Sequence, residues 1–408
     1  MTERLWPWSL FAALIAAAGL PIYINAPKVY VDDYGVSLAS LGVVLGLLRL
    51  VDVVQDPFFG GLVDRLGRWR EAAVDVAAAI LALSMLGLFA VTPPLAPLAW
   101  FALMMVPLFS AYSFLSIAFY AQGVARAQSV ASGHIGLAGW RETGSLIGVC
   151  LAAVAPVALA GTGAPFPIFA AGFAALAVLA VLAMRGQWRG SLLPQALPFH
   201  AALRQVTRDA PARRLLLLAL INAAPVAVTS TLFLFYVESV LQRADAAGPL
   251  LLLFFLSAAV SAPIFSNLGQ RFGERPVLLA AMALAVASFV WAYSLGAGQI
   301  LGFALITAAS GAALGADMVL LPALFARRLA QIGGEGAGFG LWAFVSKLSL
   351  ALAAAVLLPL LQAGGFVSGV QNTPQALALL TLLYAGVPCG LKLVAMALLA
   401  RMPMQKEL

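Results

Sequence analysis

Arg49, Asp52 and Asp56 are the residues whose types and spacing could do chemistry: a guanidinium followed by two carboxylates. Spacings of i, i+3 and i+7 put all three on one face of a helix, so they share one environment. The residues between them, Leu50, Val51, Val53 and Val54, are apolar. A charge at the centre of a bilayer costs roughly 2.5–3.5 kcal/mol, so three left unpaired would cost about 8–10 kcal/mol, and the face is expected to line an interior cavity. Arg49 and Asp52 can neutralise each other as a packing pair. Asp56 is then left over, and a carboxylate in that position either binds a cation or accepts a proton.

That chemistry presupposes lipid, and the composition requires it. Of 408 residues, 63% are hydrophobic and 10% charged, against about 25% charged in a soluble domain. Only helices and closed barrels satisfy their backbone in lipid, and near-continuous apolar runs of about 20 residues select helices. The net charge of +7 fits basic residues retained on the cytoplasmic side rather than a nucleic-acid partner. Cys150 and Cys389 fall inside apolar runs, where a thiol packs as a small hydrophobe, and imply no disulfide framework. The first run, from Leu5 to Ile24, follows Arg4 but leads to no small-residue cleavage site before a polar domain, so it is read as the first span.

Cutting at charge clusters and Pro/Gly turns gives twelve spans, near 5–26, 38–62, 73–91, 98–121, 137–159, 166–184, 215–237, 246–266, 276–295, 299–323, 338–361 and 376–399. The expected organisation is an N-terminal six-helix half (1–184), a cytoplasmic linker (185–214) and a C-terminal six-helix half (215–408). The linker holds Arg185, Arg189, Arg204, Arg208, Arg213 and Arg214. With both termini cytoplasmic, seventeen Lys and Arg lie inside, while Lys28 and Arg243 lie outside. That asymmetry fixes the orientation. Asp64-Arg65-Leu66-Gly67 after the second span resembles Gln270-Arg271-Phe272-Gly273 after the eighth, an offset of half the chain.

The loop Gly60-Gly61-Leu62-Val63-Asp64-Arg65-Leu66-Gly67-Arg68-Trp69-Arg70 resembles the G-x-x-x-D-R-x-G-R-R loop of the major facilitator superfamily, with Trp69 in place of one basic residue. Gly60 allows close helix approach, Asp64 can accept from a neighbouring helix N-terminus, Gly67 permits a left-handed turn, and Arg65 and Arg68 hold the cytoplasmic side. The resemblance implies an all-α membrane protein of twelve transmembrane helices in two pseudo-symmetric halves, with a site near the midplane between them. More narrowly, Arg49-Leu50-Val51-Asp52-Val53-Val54-Gln55-Asp56-Pro57-Phe58-Phe59-Gly60 is similar to helix II of the glycoside–pentoside–hexuronide:cation symporters, the melibiose-permease type.

In that family the helix II carboxylates and a helix IV hydroxyl bind the coupling Na⁺ or H⁺, which implies Asp52, Asp56 and Ser113 here. Lys347, about nine residues inside the eleventh span, matches the family's lysine beside that site, and Arg141 matches an arginine at the cytoplasmic end of the cavity; Arg141 and Glu142 could equally anchor the membrane interface. Asp317 is expected to pack against Arg327 or Arg328, and Lys392 has no assigned role. The chain departs from the sugar-transporting members where it matters for sugar: the first span has no acid before Asp32, and the helix IV position is Ser116. Each sugar hydroxyl left unpaired in a dry site costs about 1–3 kcal/mol. The remaining cavity candidates are aromatic or neutral: Tyr23, Asn25, Tyr112, Tyr120, Trp140, Asn222, Tyr236 and Trp342. Tyr23 and Trp140 also suit an interfacial belt.

The expected function is cation-coupled secondary transport (H⁺ or Na⁺) of a small organic solute by alternating access, in a bacterial-type inner membrane. The solute would touch Arg49, Tyr112, Ser116, Tyr120, Arg141, Asn222, Tyr236 and Trp342. A lysolipid or other amphiphile is the alternative cargo. An enzyme is disfavoured: His134 and His200 fall in cytoplasmic loops, no His/Cys/carboxylate set has metal-ligand spacing, and there is no Walker loop. No cofactor and no nucleic acid are expected, and the resemblance implies a monomer.

Overall fold

A computed structural model describes residues 4–19, 25–188, 199–367 and 371–402; Tyr23, and 189–198 in the linker, lie outside the described residues. Among these residues the regular structure is all helix. In order, the helices are α1 (Trp6–Ala17), α2 (Ala26–Asp32), α3 (Leu38–Arg65), α4 (Arg70–Phe89), α5 (Pro97–Ala127), α6 (Gly133–Ala158) and α7 (Pro165–Met184). Then come α8 (Phe199–Arg208), α9 (Ala210–Phe235), α10 (Ala247–Phe272), α11 (Glu274–Trp291), α12 (Ile300–Ile332), α13 (Glu335–Ala363), α14 (Pro374–Thr381) and α15 (Val387–Ala400).

Local chemistry sets these boundaries. Proline occupies the first turn of α1, α2, α5, α7, α14 and α15, where its missing N–H costs nothing. The Ser37 hydroxyl caps α3 by accepting from the Ser40 amide at 3.1 Å. Nine helical segments among the described residues are long and apolar enough to cross a membrane. The 28-residue α3, the 26-residue α6 and the α1–α2 segment complete twelve spans. Only 28% of the apolar window of α7 is buried within the protein, so most of that helix faces lipid.

The chain packs as two compact units, Met1–Asp209 with Ala326–Phe344, and Ala210–Phe325 with Val345–Leu408. In the first, α6 lies directly on α1: a Cβ on Gly144 would stand 2.1 Å from the Ser9 carbonyl, and one on Gly148 would stand 2.4 Å from that of Ala13. This small-x-x-x-small pair lets two backbones touch where lipid supplies no hydrophobic drive. Trp8 stacks on Phe119 at 5.1 Å, and Phe11 meets Trp188 edge-on at 5.4 Å. In the second unit, α15 packs on α9 and α11. Its core centres on Tyr236 and Tyr384, stacked at 4.3 Å with Phe303 beside them. Both tyrosines sit in π-helical stretches, Tyr236–Val240 and Leu382–Gly386.

Part of the stretch read as a linker is ordered helix. In α8, Ala202 and Val206 are buried one turn apart, and Gln205 Nε2 donates to the Ile332 carbonyl. The apolar i, i+4 pair is short, and the arginines around it mask it in the sequence.

Candidate functional site

Asp52 and Asp56 are both fully buried. The Ser113 hydroxyl on α5 donates to Asp52 Oδ1 at 2.8 Å, and Gln55 Nε2 donates to the same oxygen at 3.3 Å. Ser110 in turn donates to Gln55 Oε1 at 3.1 Å. Two donors on one oxygen stabilise the charged carboxylate, and the chain Ser110–Gln55–Asp52–Ser113 ties α3 to α5. Pro57 follows Asp56 and has no N–H, which withdraws the helical donor from the Val53 carbonyl beside the pair. A carbonyl and a hydroxyl next to two carboxylates form an oxygen-only environment, the donor set that hard cations prefer. The Arg49 side chain lies outside the described residues, and Lys347 is half-buried on α13 in the second unit.

Ser113, Ser116 and Tyr120 are spaced i, i+3 and i+7, so one face of α5 runs from the carboxylates to a second buried cluster about 10 Å away. There the Tyr120 hydroxyl and Arg141 Nε both donate to Glu142 Oε1 at 2.8 Å. The Arg141 guanidinium stands 3.8 Å above the Tyr120 ring, a cation–π contact. Arg141 is 4% exposed and Glu142 1%, which corrects the reading of this pair as interfacial anchors. Neighbouring helical side chains do not face each other; the pair forms because Arg141 uses Nε instead of its terminal nitrogens. Tyr120 continues into Phe339 at 5.1 Å and on to the half-buried Trp342. Tyr112 is half-buried, and Ser116 spends its hydroxyl on the Tyr112 carbonyl at 2.8 Å.

At the end of α3, Asp64 receives the amides of Gly336 at 2.7 Å and Ala337 at 2.9 Å, so it caps the first turn of α13. Backbones meet here: a Cβ on Gly60 would lie 2.4 Å from the Gly336 carbonyl, and one on Gly340 would lie 2.7 Å from that of Asp56. Gly67 takes the left-handed turn at φ +47. Arg65 and Arg68 are exposed, and Arg68 lies over the Trp69 ring at 5.2 Å. The buried base is Arg70, which donates to Gln122 at 2.8 Å and to the Val63 carbonyl at 2.9 Å. Sequence reasoning missed Arg70, Gln122 and the Gly336-x-x-x-Gly340 pair. The glycine spacing was the signal that could have revealed the third.

In the second unit Lys392 donates to Asn222 Oδ1 at 2.7 Å and pairs with Asp317 Oδ2. This corrects the expectation for Asp317: Arg328 lies three turns further along the same helix, about 16 Å away, and pairs with Asp209. Tyr236 is not on a cavity wall; its ring is fully buried in the core, and its hydroxyl donates to the Ala292 carbonyl at 2.8 Å. Among the described residues no group of three His, Cys, Asp or Glu could hold a metal ion.

A family model described as MFS/sugar transport protein matches residues 9–406. No curated protein matches the chain significantly. Solved structures similar to it include a bacterial homologue of the iron transporter ferroportin in an outward-facing state (TM-score 0.70, 14% identity, 98% of this chain and 99% of that chain). The E. coli fucose:proton symporter FucP is also similar (TM-score 0.68, 16% identity, 96% of each chain). So is the human organic anion transporter MFSD10 (TM-score 0.68, 16% identity, 97% of this chain and 98% of that chain). At these identities the likeness is one of fold.

Proposed function

The chain belongs to the MFS/sugar transport protein family of the major facilitator superfamily, and from that premise we propose that it is a cation-coupled transporter of a small organic solute. It is a multi-pass membrane transporter and not an enzyme. The coupling ion, H⁺ or Na⁺, binds at Asp52 and Asp56 with Ser113. The observation that carries this reading is the Ser113 hydroxyl on a fully buried Asp52 carboxylate, one helical turn from a second buried carboxylate. Moving one charge inward through about 100 mV supplies about 2.3 kcal/mol, which sustains close to fifty-fold accumulation.

The solute is held along the α5 face by Tyr112, Ser116 and Tyr120, with Arg141 and Trp342 at its far end, and Lys347 exchanges partners with the carboxylates as the cation enters. The Asp64 cap on α13 is the latch that opens and re-forms in each cycle. The protein works as a monomer in a bacterial-type inner membrane with both termini cytoplasmic. The named activity of FucP, fucose with a proton, illustrates this class of coupling on the same fold.

A second reading, an amphiphile as cargo, is favoured by Ser116, whose hydroxyl is turned onto its own helix where sugar transporters of the resembled type carry an acid. Uptake into proteoliposomes under an imposed Na⁺, proton or no gradient tests both, with a sugar and a lysolipid side by side. Gradient-driven uptake that disappears in Asp56→Asn supports the coupling site. Gradient-driven uptake that survives in that variant overturns it.

A further inference from the structure

We propose that the second unit contains a binding pocket of its own, which takes a neutral amphipathic solute whose hydroxyl donates to Oδ1 of Asp317. The inference stands apart from the coupling assignment, because every residue of the pocket lies within that unit.

A cavity of about 450 Å³ opens between α9, α10, α11, α12 and α15, a volume within the range of small-molecule sites. Val226, Phe254, Val286, Phe289 and Leu314 give it apolar walls, and Asp317 with Lys392 form its polar end. A second cavity of about 440 Å³ shares Thr229, Phe254, Phe289 and Ser310 with the first and continues to Phe303 and Tyr384. A solute with one polar group and an extended apolar body fits that outline.

The hydrogen-bonding pattern selects the polar group. Asp317 is 7% exposed. Its Oδ2 is taken by Lys392, whereas its buried Oδ1 receives no hydrogen bond. Lys392 also donates to Asn222 at 2.7 Å. The hydroxyls on the wall are committed as donors too: Thr229 donates to the Pro225 carbonyl at 3.0 Å and Ser310 to that of Thr307 at 3.2 Å. What these groups leave toward the cavity is acceptor capacity, so the complementary ligand brings a donor. Charge narrows the choice further. A ligand carboxylate would compete with Asp317 for Lys392, and an ammonium would sit beside the Lys392 cation. A hydroxyl does neither.

Photolabelling of the full-length protein in nanodiscs with a diazirine analogue of 1-octanol tests this, with adducts mapped by peptide mass spectrometry. The expected adducts fall on Ser310–Asp317 of α12 and Pro388–Lys392 of α15. Excess 1-octanol should suppress them, and octanoate or octylamine at matched membrane concentration should do so much less. Asp317→Leu with Lys392→Met, which removes the polar end as a pair, should cut this labelling about tenfold. Leu314→Trp, which fills the cavity and leaves the ion pair in place, should do the same. Labelling confined to lipid-facing residues, labelling unchanged in both variants, or stronger competition by octanoate or octylamine would each overturn the proposal.

Discussion

The carboxylate of Asp64 receives the backbone amide of Gly336 at 2.7 Å across 272 positions of sequence. With the Ala337 amide it satisfies two donors that the start of α13 leaves open, and the negative charge sits at the positive end of the helix dipole. Asp64→Ala should cost about 1–3 kcal/mol at this contact and slow transport while leaving expression intact. Gly336→Ala should be as damaging by a different route, because the new methyl would stand 2.4 Å from the Gly60 carbonyl. Melting curves of both variants in detergent, set beside initial uptake rates, check this. Wild-type values for either variant would show that the contact is dispensable.

Ser113 acts on the buried carboxylate through one 2.8 Å hydrogen bond. Ser113→Ala should lower the apparent affinity for the coupling cation about tenfold, the value of one hydrogen bond to a charged group. Ser113→Thr keeps the hydroxyl and should keep the affinity. Uptake measured against cation concentration separates the two. Equal losses in Ala and Thr variants would point to packing instead of the hydroxyl.

The Lys392–Asp317 pair predicts a thermodynamic signature. Lys392→Met alone strands a buried carboxylate and should cost about 3–5 kcal/mol, whereas Lys392→Met with Asp317→Leu should recover most of that loss. A double-mutant cycle on thermal stability reads the coupling directly. Additive losses would mean that the two charges do not depend on each other.

Glu142 receives both Tyr120 and Arg141. Tyr120→Phe keeps the ring under the guanidinium and removes one donor, for about 1.5–3 kcal/mol. Glu142→Gln leaves Arg141 buried without a counter-charge, for about 3–5 kcal/mol. The expected order of melting midpoints is therefore wild type, Tyr120→Phe, then Glu142→Gln, and the reverse order of the two variants would remove Glu142 from the centre of the cluster.

Much of the architecture was legible because lipid is a severe solvent. Apolar runs of about 20 residues have few alternatives to a spanning helix, and prolines and a Ser37 cap mark several boundaries in plain sequence. The α3 carboxylates were legible for the same reason: a charge inside a span is expensive, so its presence is informative. Less visible was α8, whose two buried residues are too few to give a clear period. The choice among Arg65, Arg68 and Arg70 as the buried base was not visible at all, since three arginines in one loop are chemically alike until a fold surrounds one of them.

The sequence by itself determined the solvent, the helical class, the count of spans and the charged face of α3, because each follows from transfer energies that act residue by residue. Partnership was decided only by the tertiary structure. Asp317 belongs to Lys392 and not to the arginines of its own helix, Asp64 belongs to amides 272 and 273 positions away, and Tyr236 belongs to a core instead of a cavity. A side chain's cost of burial is written in its own chemistry, but the group that offsets that cost arrives on another helix, and only packing determines which one.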